Sequence, residues 1–231
     1  MPKSVLIAAS LAAACLACSA AQADEVQNQI VAAAKGTSPS AYGFRRTMTI
    51  QQTGQPRKIL VEQYDPRRQG ADQWSLVSVD GRAPTAKESA DSHKAKRGPV
   101  PSYGELAKWV GAPASRSNAG PGYVLYHFAS LPAGTLKIGS HDASADTQAE
   151  VLVNIKEKIP LVERVRLKST RGFRMMLVAS VDSIMFDQRY RVLPDGHAVP
   201  SQAISDMSGS MLGKAGRMQA EATYSEFKAA R

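Results

Sequence analysis

The chain has 231 residues, 43% hydrophobic and 21% charged, with a formal net charge of +9 and two cysteines. That is enough for one domain with a real core. Beyond the N-terminus no stretch approaches the roughly 20 apolar residues needed to cross a bilayer, so a chain spanning the membrane by a helix is excluded. There is no internal repeat and no long low-complexity linker.

The chain opens with Lys3, an apolar run from Val5 to Ala17, and Ala21-Gln22-Ala23 just before Asp24-Glu25. A basic start, an apolar run too short for a good membrane span and small residues at −3 and −1 describe a secretory signal peptide over residues 1–23. A single domain over residues 24–231 is then expected to work in the periplasm. Leader removal takes one lysine and no acidic residue, leaving +8. It also removes Cys15 and Cys18, and with them any disulfide, thiol nucleophile or thiolate metal site. Leu16-Ala17-Cys18 offers a second reading, a lipoprotein processing site that would anchor the chain through Cys18. Cys15 stands where such sites usually carry a branched aliphatic residue, so the soluble form is favoured. Export disfavours a nucleic-acid partner, although the charge alone would permit one.

Asp24 is placed to cap a helix, DEVQNQIVAAAK, with Val26, Ile30, Val31 and Ala34 along one face and Gly36 as its stop. The period then changes. Tyr42, Phe44, Met48 and Ile50 alternate with Arg45, Thr47 and Thr49, and Arg46 is the exception on the apolar face. Turns at Thr53–Pro56 and around Gly70 lead to strands KILVEQYD and QWSLVSVD, an antiparallel meander that ends at Asp80-Gly81. Thr85-Ala-Lys-Glu88 reads as a capping box for a polar helix ending near Gly98-Pro99, and Ser102-Tyr-Gly-Glu105 opens a short helix carrying Leu106, Trp109 and Val110. Six further strands are read: YVLYHFA, EVLVNI, LVERVRLKS, FRMMLVASVDSI, MFDQRYRVL and GRMQAEATYSEFK. The fold class is α+β, mainly antiparallel β, with one large curved sheet as a half-barrel, an N-terminal helix and short lid helices.

Catalytic motifs are sparse. His141-Asp142, with Asp146 nearby, is the one cluster suited to a proton relay or a metal site, and it lacks a second histidine at ligand spacing. A periplasmic hydrolase built on it stays open as a minor reading. Gly209-Ser-Met-Leu-Gly213-Lys214 has the wrong spacing for a phosphate loop and reads as a flexible approach to the last strand. Arg164, Arg166 and Lys168 share one strand face, either solvated or facing anionic headgroups. Phe44, Met48, Phe173, Met175, Met176 and Met185 suggest a deformable inner surface, or an ordinary core.

The N-terminal helix, the long antiparallel strands, the helices after the third strand and the terminal Thr223-Tyr-Ser-Glu-Phe227 together resemble the periplasmic lipoprotein-carrier, outer-membrane lipoprotein-sorting superfamily (LolA/LolB-like). So does Trp74-Ser-Leu-Val-Ser-Val-Asp80-Gly81-Arg82 followed by Pro84-Thr85. The resemblance implies a non-enzymatic half-barrel that holds lipid or lipoprotein acyl chains under a helical lid, with no cofactor. Its ligand-binding residues would be Phe44, Met48, Ile50, Ile59 and Val61 inside and Leu106 and Trp109 on the lid. The charged Lys87–Arg97 helix and Arg46 depart from that pattern. An envelope protein-interaction or stress-sensor module, with the same fold and a filled core, is the alternative.

Overall fold

The computed structural model describes residues 24–38, 41–95, 97, 99–176 and 179–230. The proposed leader, with Cys15, Cys18 and the Ala21-Gln22-Ala23 site, lies outside the described residues, as do Gly98, residues 177–178 and the side chain of Met176. Helix α1 (Glu25–Lys35) precedes β1 (Tyr42–Gln52), β2 (Lys58–Tyr64) and β3 (Trp74–Val79). Helix α2 (Ala86–Lys94) and a 3-10 segment (Tyr103–Lys108) follow. Next come β4 (Ser115–Asn118), β5 (Tyr123–Phe128), the small hairpin β6 (Lys137–Ile138) and β7 (His141–Asp142), β8 (Thr147–Asn154) and β9 (Leu161–Ser169). The chain closes with β10 (Phe173–Met176), β11 (Ala179–Val192), β12 (Ala198–Met211) and β13 (Lys214–Ala229).

An 11-stranded antiparallel sheet runs β3-β2-β1-β13-β12-β11-β9-β8-β5-β4, with β10 paired to β11 beside this path. It is α+β, one curved sheet that does not close into a barrel. The first and last long strands are neighbours, in register from Tyr42 opposite Ala229 to Gln52 opposite Met218.

Helix α1 forms because its ends are satisfied. The Asp24 carboxylate accepts from the Gln27 backbone N–H at 2.9 Å, and the Gln27 side chain accepts from Asp24 N–H at 3.1 Å. Ile30 and Ala34 are fully buried on its inner face. They pack with Tyr103, Leu106, Trp109 and Val110 of the 3-10 region onto Val124, Tyr126 and Phe128 of β5, Val151 of β8 and Val165 of β9. Fully burying side chains of this size contributes about 1.5–3 kcal/mol each. Gln27 is as buried as the apolar residues, a polar exception on the inner face.

The meander turns as its residues dictate. Asp80 (φ 51°) and Gly81 (φ 80°) form a two-residue turn with both central residues left-handed, closed by reciprocal bonds between Val79 and Arg82. In β13 the left-handed Glu226 (φ 51°) marks a bulge opposite Phe44, where the register with β1 slips. A regular strand would send Tyr224 and Phe227 to opposite faces. The extra residue returns both to the inner face, where their rings lie 5.6 and 5.8 Å from Phe44.

Three expectations are corrected. FRMMLVASVDSI is not one strand: Phe173–Met176 is a short arm, and Ala179–Val192 is a single long strand that absorbs most of MFDQRYRVL. Ala198–Met211, for which no strand is expected and whose end at Gly209 is expected to be a flexible approach, is a central strand between β11 and β13, and Gly209 lies inside it. The polar helix ends at Lys94 rather than near Gly98, its last backbone bond running from Ala95 N–H to Ser92.

Candidate functional site

A cleft of about 500 Å³ opens at the C-terminal end of α1. The helix contributes Ala32, Ala33 and Gly36, whose small side chains leave the space open. The β8–β9 turn brings Ile159, Pro160 and Leu161, and the β11–β12 turn brings Val192, His197 and Ala198. Ile159 is 65% exposed and Val192 48% exposed, so the rim of the cleft is apolar and wet. Asn154, Glu157, Lys158 and His197 supply its polar groups.

The walls are fixed. Tyr103 lies across the floor, its hydroxyl accepting from the Val162 backbone N–H at 3.0 Å. Its ring meets Tyr190 edge-on at 5.2 Å. Burial pushes the Tyr103 hydroxyl up to about 12, so it is neutral at any physiological pH. On the far side Gly196 (φ 85°) tightens the β11–β12 turn, and the Tyr42 hydroxyl donates to Asp195 at 2.5 Å. That hydroxyl, with the backbone N–H of His197, holds the Asp195 carboxyl below its ordinary range. A volume of this size, apolar with a few polar groups at the mouth, has the character of a small-molecule or acyl-chain site.

The seven residues expected to bind ligand lie elsewhere and do not converge. Ladder partners project to the same face of a sheet. Phe44, Met48 and Ile50 share the inner face with Tyr64, Leu60 and Lys58, their partners on β2. Ile59 and Val61 pair with Thr49 and Thr47 and so belong to the outer face. Placing all five on one lining was a register error, since neighbouring residues of a strand alternate. Leu106 and Trp109 are buried in the core under α1, Trp109 edge-on to Phe128 at 5.3 Å, rather than opposite Met48. Met185 also faces outward, paired with Lys168 and Asp206.

Around Phe44 the inner face is filled. Tyr64, Trp74, Tyr224, Ala203 and Ala222 are buried with it, and the hollow beside it measures about 20 Å³, roughly one water. Beyond Phe44, Arg46 turns inward as the sequence placed it. It pairs with Glu62, only 3% exposed, at 2.5 Å, and Arg97 reaches the other oxygen of the same carboxylate at 2.6 Å. Farther along, Met48, Ile50, Leu60, Phe186 and Met207 are half-buried and Met218 is 39% exposed.

The remaining candidates have structural roles. Asp142 accepts from Gly134 N–H at 2.7 Å and from Ser144 N–H and hydroxyl at 3.1 and 2.6 Å, while Asp146 pairs with Arg171 at 2.6 Å. His141 stacks on Phe173 with ring centroids 4.0 Å apart. No group of three metal-ligating side chains occurs among the described residues. On the outer face Arg164 and Arg166 both pair with Asp187, and Arg166 also reaches Glu150 at 3.5 Å.

Sequence reading missed the cleft because its walls are two turns and the smallest residues of a helix. The available signals were Ala32, Ala33 and Gly36 at one end of α1 and the apolar pair Ile159-Pro160 in an otherwise charged turn.

No family model matches the chain, and no curated protein matches it. Among solved structures it is similar to a LolA superfamily protein from Nitrosomonas europaea, with a TM-score of 0.40 and 9% identity over 91% of this chain and 94% of that one.

Proposed function

We propose that the protein is exported to the periplasm and binds acyl chains of lipids or lipoproteins there without turning them over, carrying them within the envelope. The observation that supports this most directly is the cleft at the end of α1, apolar, open to solvent and large enough for a chain. Burying a methylene contributes about 0.8 kcal/mol, so an eight-carbon segment in the cleft reaches roughly 6 kcal/mol before ordering costs. The basic, apolar and small-residue signature of residues 1–23 supports the location, with anchoring through Cys18 as the less favoured form. The test is native mass spectrometry of protein taken from the periplasm, followed by titration with a fluorescent fatty acid. Bound lipid or uptake of the probe, weakened about tenfold by Ile159→Asp, is the expected result. Protein that arrives empty and ignores both probe and lipopeptide overturns the reading.

A second reading has its own support in the filled region around Phe44, which leaves only about 20 Å³ there. An envelope protein-interaction or stress-sensor module would be built that way. Crosslinking in cells that returns one dominant protein partner, with no bound lipid, selects it.

A further inference from the structure

The inner face carries a charge imbalance that the cleft does not use. Arg46 donates to one oxygen of Glu62 from Nε at 3.1 Å and from Nη2 at 2.5 Å. Arg97 donates to the other oxygen from Nη1 at 2.6 Å, and from Nη2 to the Ser92 hydroxyl and carbonyl at 2.8 and 3.2 Å. Among the described residues Glu62 is the one carboxylate paired with either guanidinium. Two cations therefore share one anion, and their side chains are only 15% and 19% exposed. An uncompensated charge held largely away from water is costly unless an opposite charge meets it.

The pair is also held in place. The guanidinium carbons of Arg46 and Arg97 lie 4.2 and 4.9 Å from the Trp74 ring centroid, so the one indole orients both. Arg46 also bonds the Tyr224 hydroxyl, while Arg97 Nε is not engaged with Glu62. Two guanidiniums fixed against an aromatic face, with one carboxylate between them, match a tetrahedral oxyanion that accepts from both. On the same strand face Met48 and Ile50, beside Leu60, offer half-buried apolar surface next to the charges.

We propose that Arg46 and Arg97, set around Glu62 and Trp74 on the inner face, form a binding site for a phosphate-type oxyanion. This does not rest on the acyl-chain reading, which concerns the cleft at the other side of Phe44. The anion is either the headgroup of an amphiphile whose chain lies over Met48, Ile50 and Leu60, or a free phosphate.

Trp74 is the reporter. The full chain is titrated with n-dodecyl phosphate, inorganic phosphate and the uncharged n-dodecyl maltoside, following tryptophan emission. Binding of dodecyl phosphate about tenfold tighter than the maltoside supports the site with an amphiphile as its source. Saturable binding of inorganic phosphate, with no gain from the dodecyl chain, supports it with a free anion. Arg97→Gln leaves the Arg46–Glu62 pair intact and should weaken phosphate binding about tenfold while leaving the maltoside unaffected. Glu62→Gln removes the competing negative charge and should tighten it. Equal affinity for charged and uncharged amphiphiles with no phosphate binding, or an Arg97→Gln protein that binds phosphate as well as the parent, overturns the proposal. Loss of fatty-acid uptake at the cleft with this pattern intact would count against the acyl-chain reading alone.

Discussion

The side-chain amide of Gln27 donates to the backbone carbonyl of Val110 at 2.7 Å and to that of Ala112 at 3.0 Å, from a position only 2% exposed. These bonds fasten α1 to the turn after the 3-10 segment, 83 and 85 residues away. Replacing Gln27 with Leu keeps the volume but abandons two carbonyls and the Asp24 backbone N–H. The expected loss is about 1–3 kcal/mol, read as a lower urea midpoint with an unchanged slope. An unchanged midpoint would show that water replaces the amide at no cost.

Asp24 ties the other end of the same helix. Its carboxylate caps α1, accepts from the Tyr126 hydroxyl at 2.7 Å and pairs with Arg116 at 3.0 Å. Partial burial raises its pKa, but the bonds from Gln27 N–H, Tyr126 and Arg116 outweigh this and hold it below the ordinary carboxylate value. A depressed folded pKa gives stability that is complete above the unfolded value, about 3.9, and is lost as pH falls through the folded one. Asp24→Asn keeps the cap and removes the titration. Thermal melts across acid pH should show a steeper loss in the parent than in the variant. Parallel curves would remove Asp24 from the acid response.

Two glycines on facing strands make opposite demands. A Cβ on Gly209 would lie 2.2 Å from the carbonyl oxygen of Ser180, whereas one on Gly216, its ladder partner, would meet nothing within 4 Å. Gly209→Ala forces β11 and β12 apart, with an expected cost of about 2–4 kcal/mol. Gly216→Ala should fall within about 0.5 kcal/mol of the parent. Equal melting temperatures for the two variants would refute the close approach.

Leu212, 72% exposed, occupies a left-handed position (φ 51°) beside Gly213 (φ 74°) in the β12–β13 turn. Such turns favour asparagine there, because a branched apolar side chain gains nothing from the strained backbone. Leu212→Asn should raise stability by about 0.5–1 kcal/mol, measured as an increase in Tm. A fall in Tm would mean that the leucine makes contacts worth more than the strain.

Elements carried by short-range pattern were legible in the sequence. The helix cap at Asp24 and the alternation of Phe44, Met48 and Ile50 need only neighbours to be read, and both stand in the structure. Strand β12 was not legible, because Ser-Gln-Ala-Ile-Ser-Asp-Met-Ser-Gly-Ser is polar on both faces and contains a glycine. It is a strand because β11 and β13 bond to it on both sides. The same limit applied to the sites. Arg46 could be seen to face inward, but its partners lie 16 residues away at Glu62 and, through Glu62, a further 35 away at Arg97. The cleft is assembled from turns whose closeness exists only after the sheet has formed.

Strand β1 lies between β2 and β13, and its second partner lies more than 160 residues further along the chain. A chain that emerges N-terminus first can zip β1 to β2 and β3 early, as a local meander. It then presents the other edge of β1, from Tyr42 to Gln52, unbonded until Lys214–Ala229 arrives. Closure of that seam is a late, long-loop event, so folding should be slow for the size of the domain. A truncation before Lys214 would leave a ready template for strand exchange between molecules. The seam thus makes Lys214–Ala229 the cover for an edge that would otherwise be open to pairing.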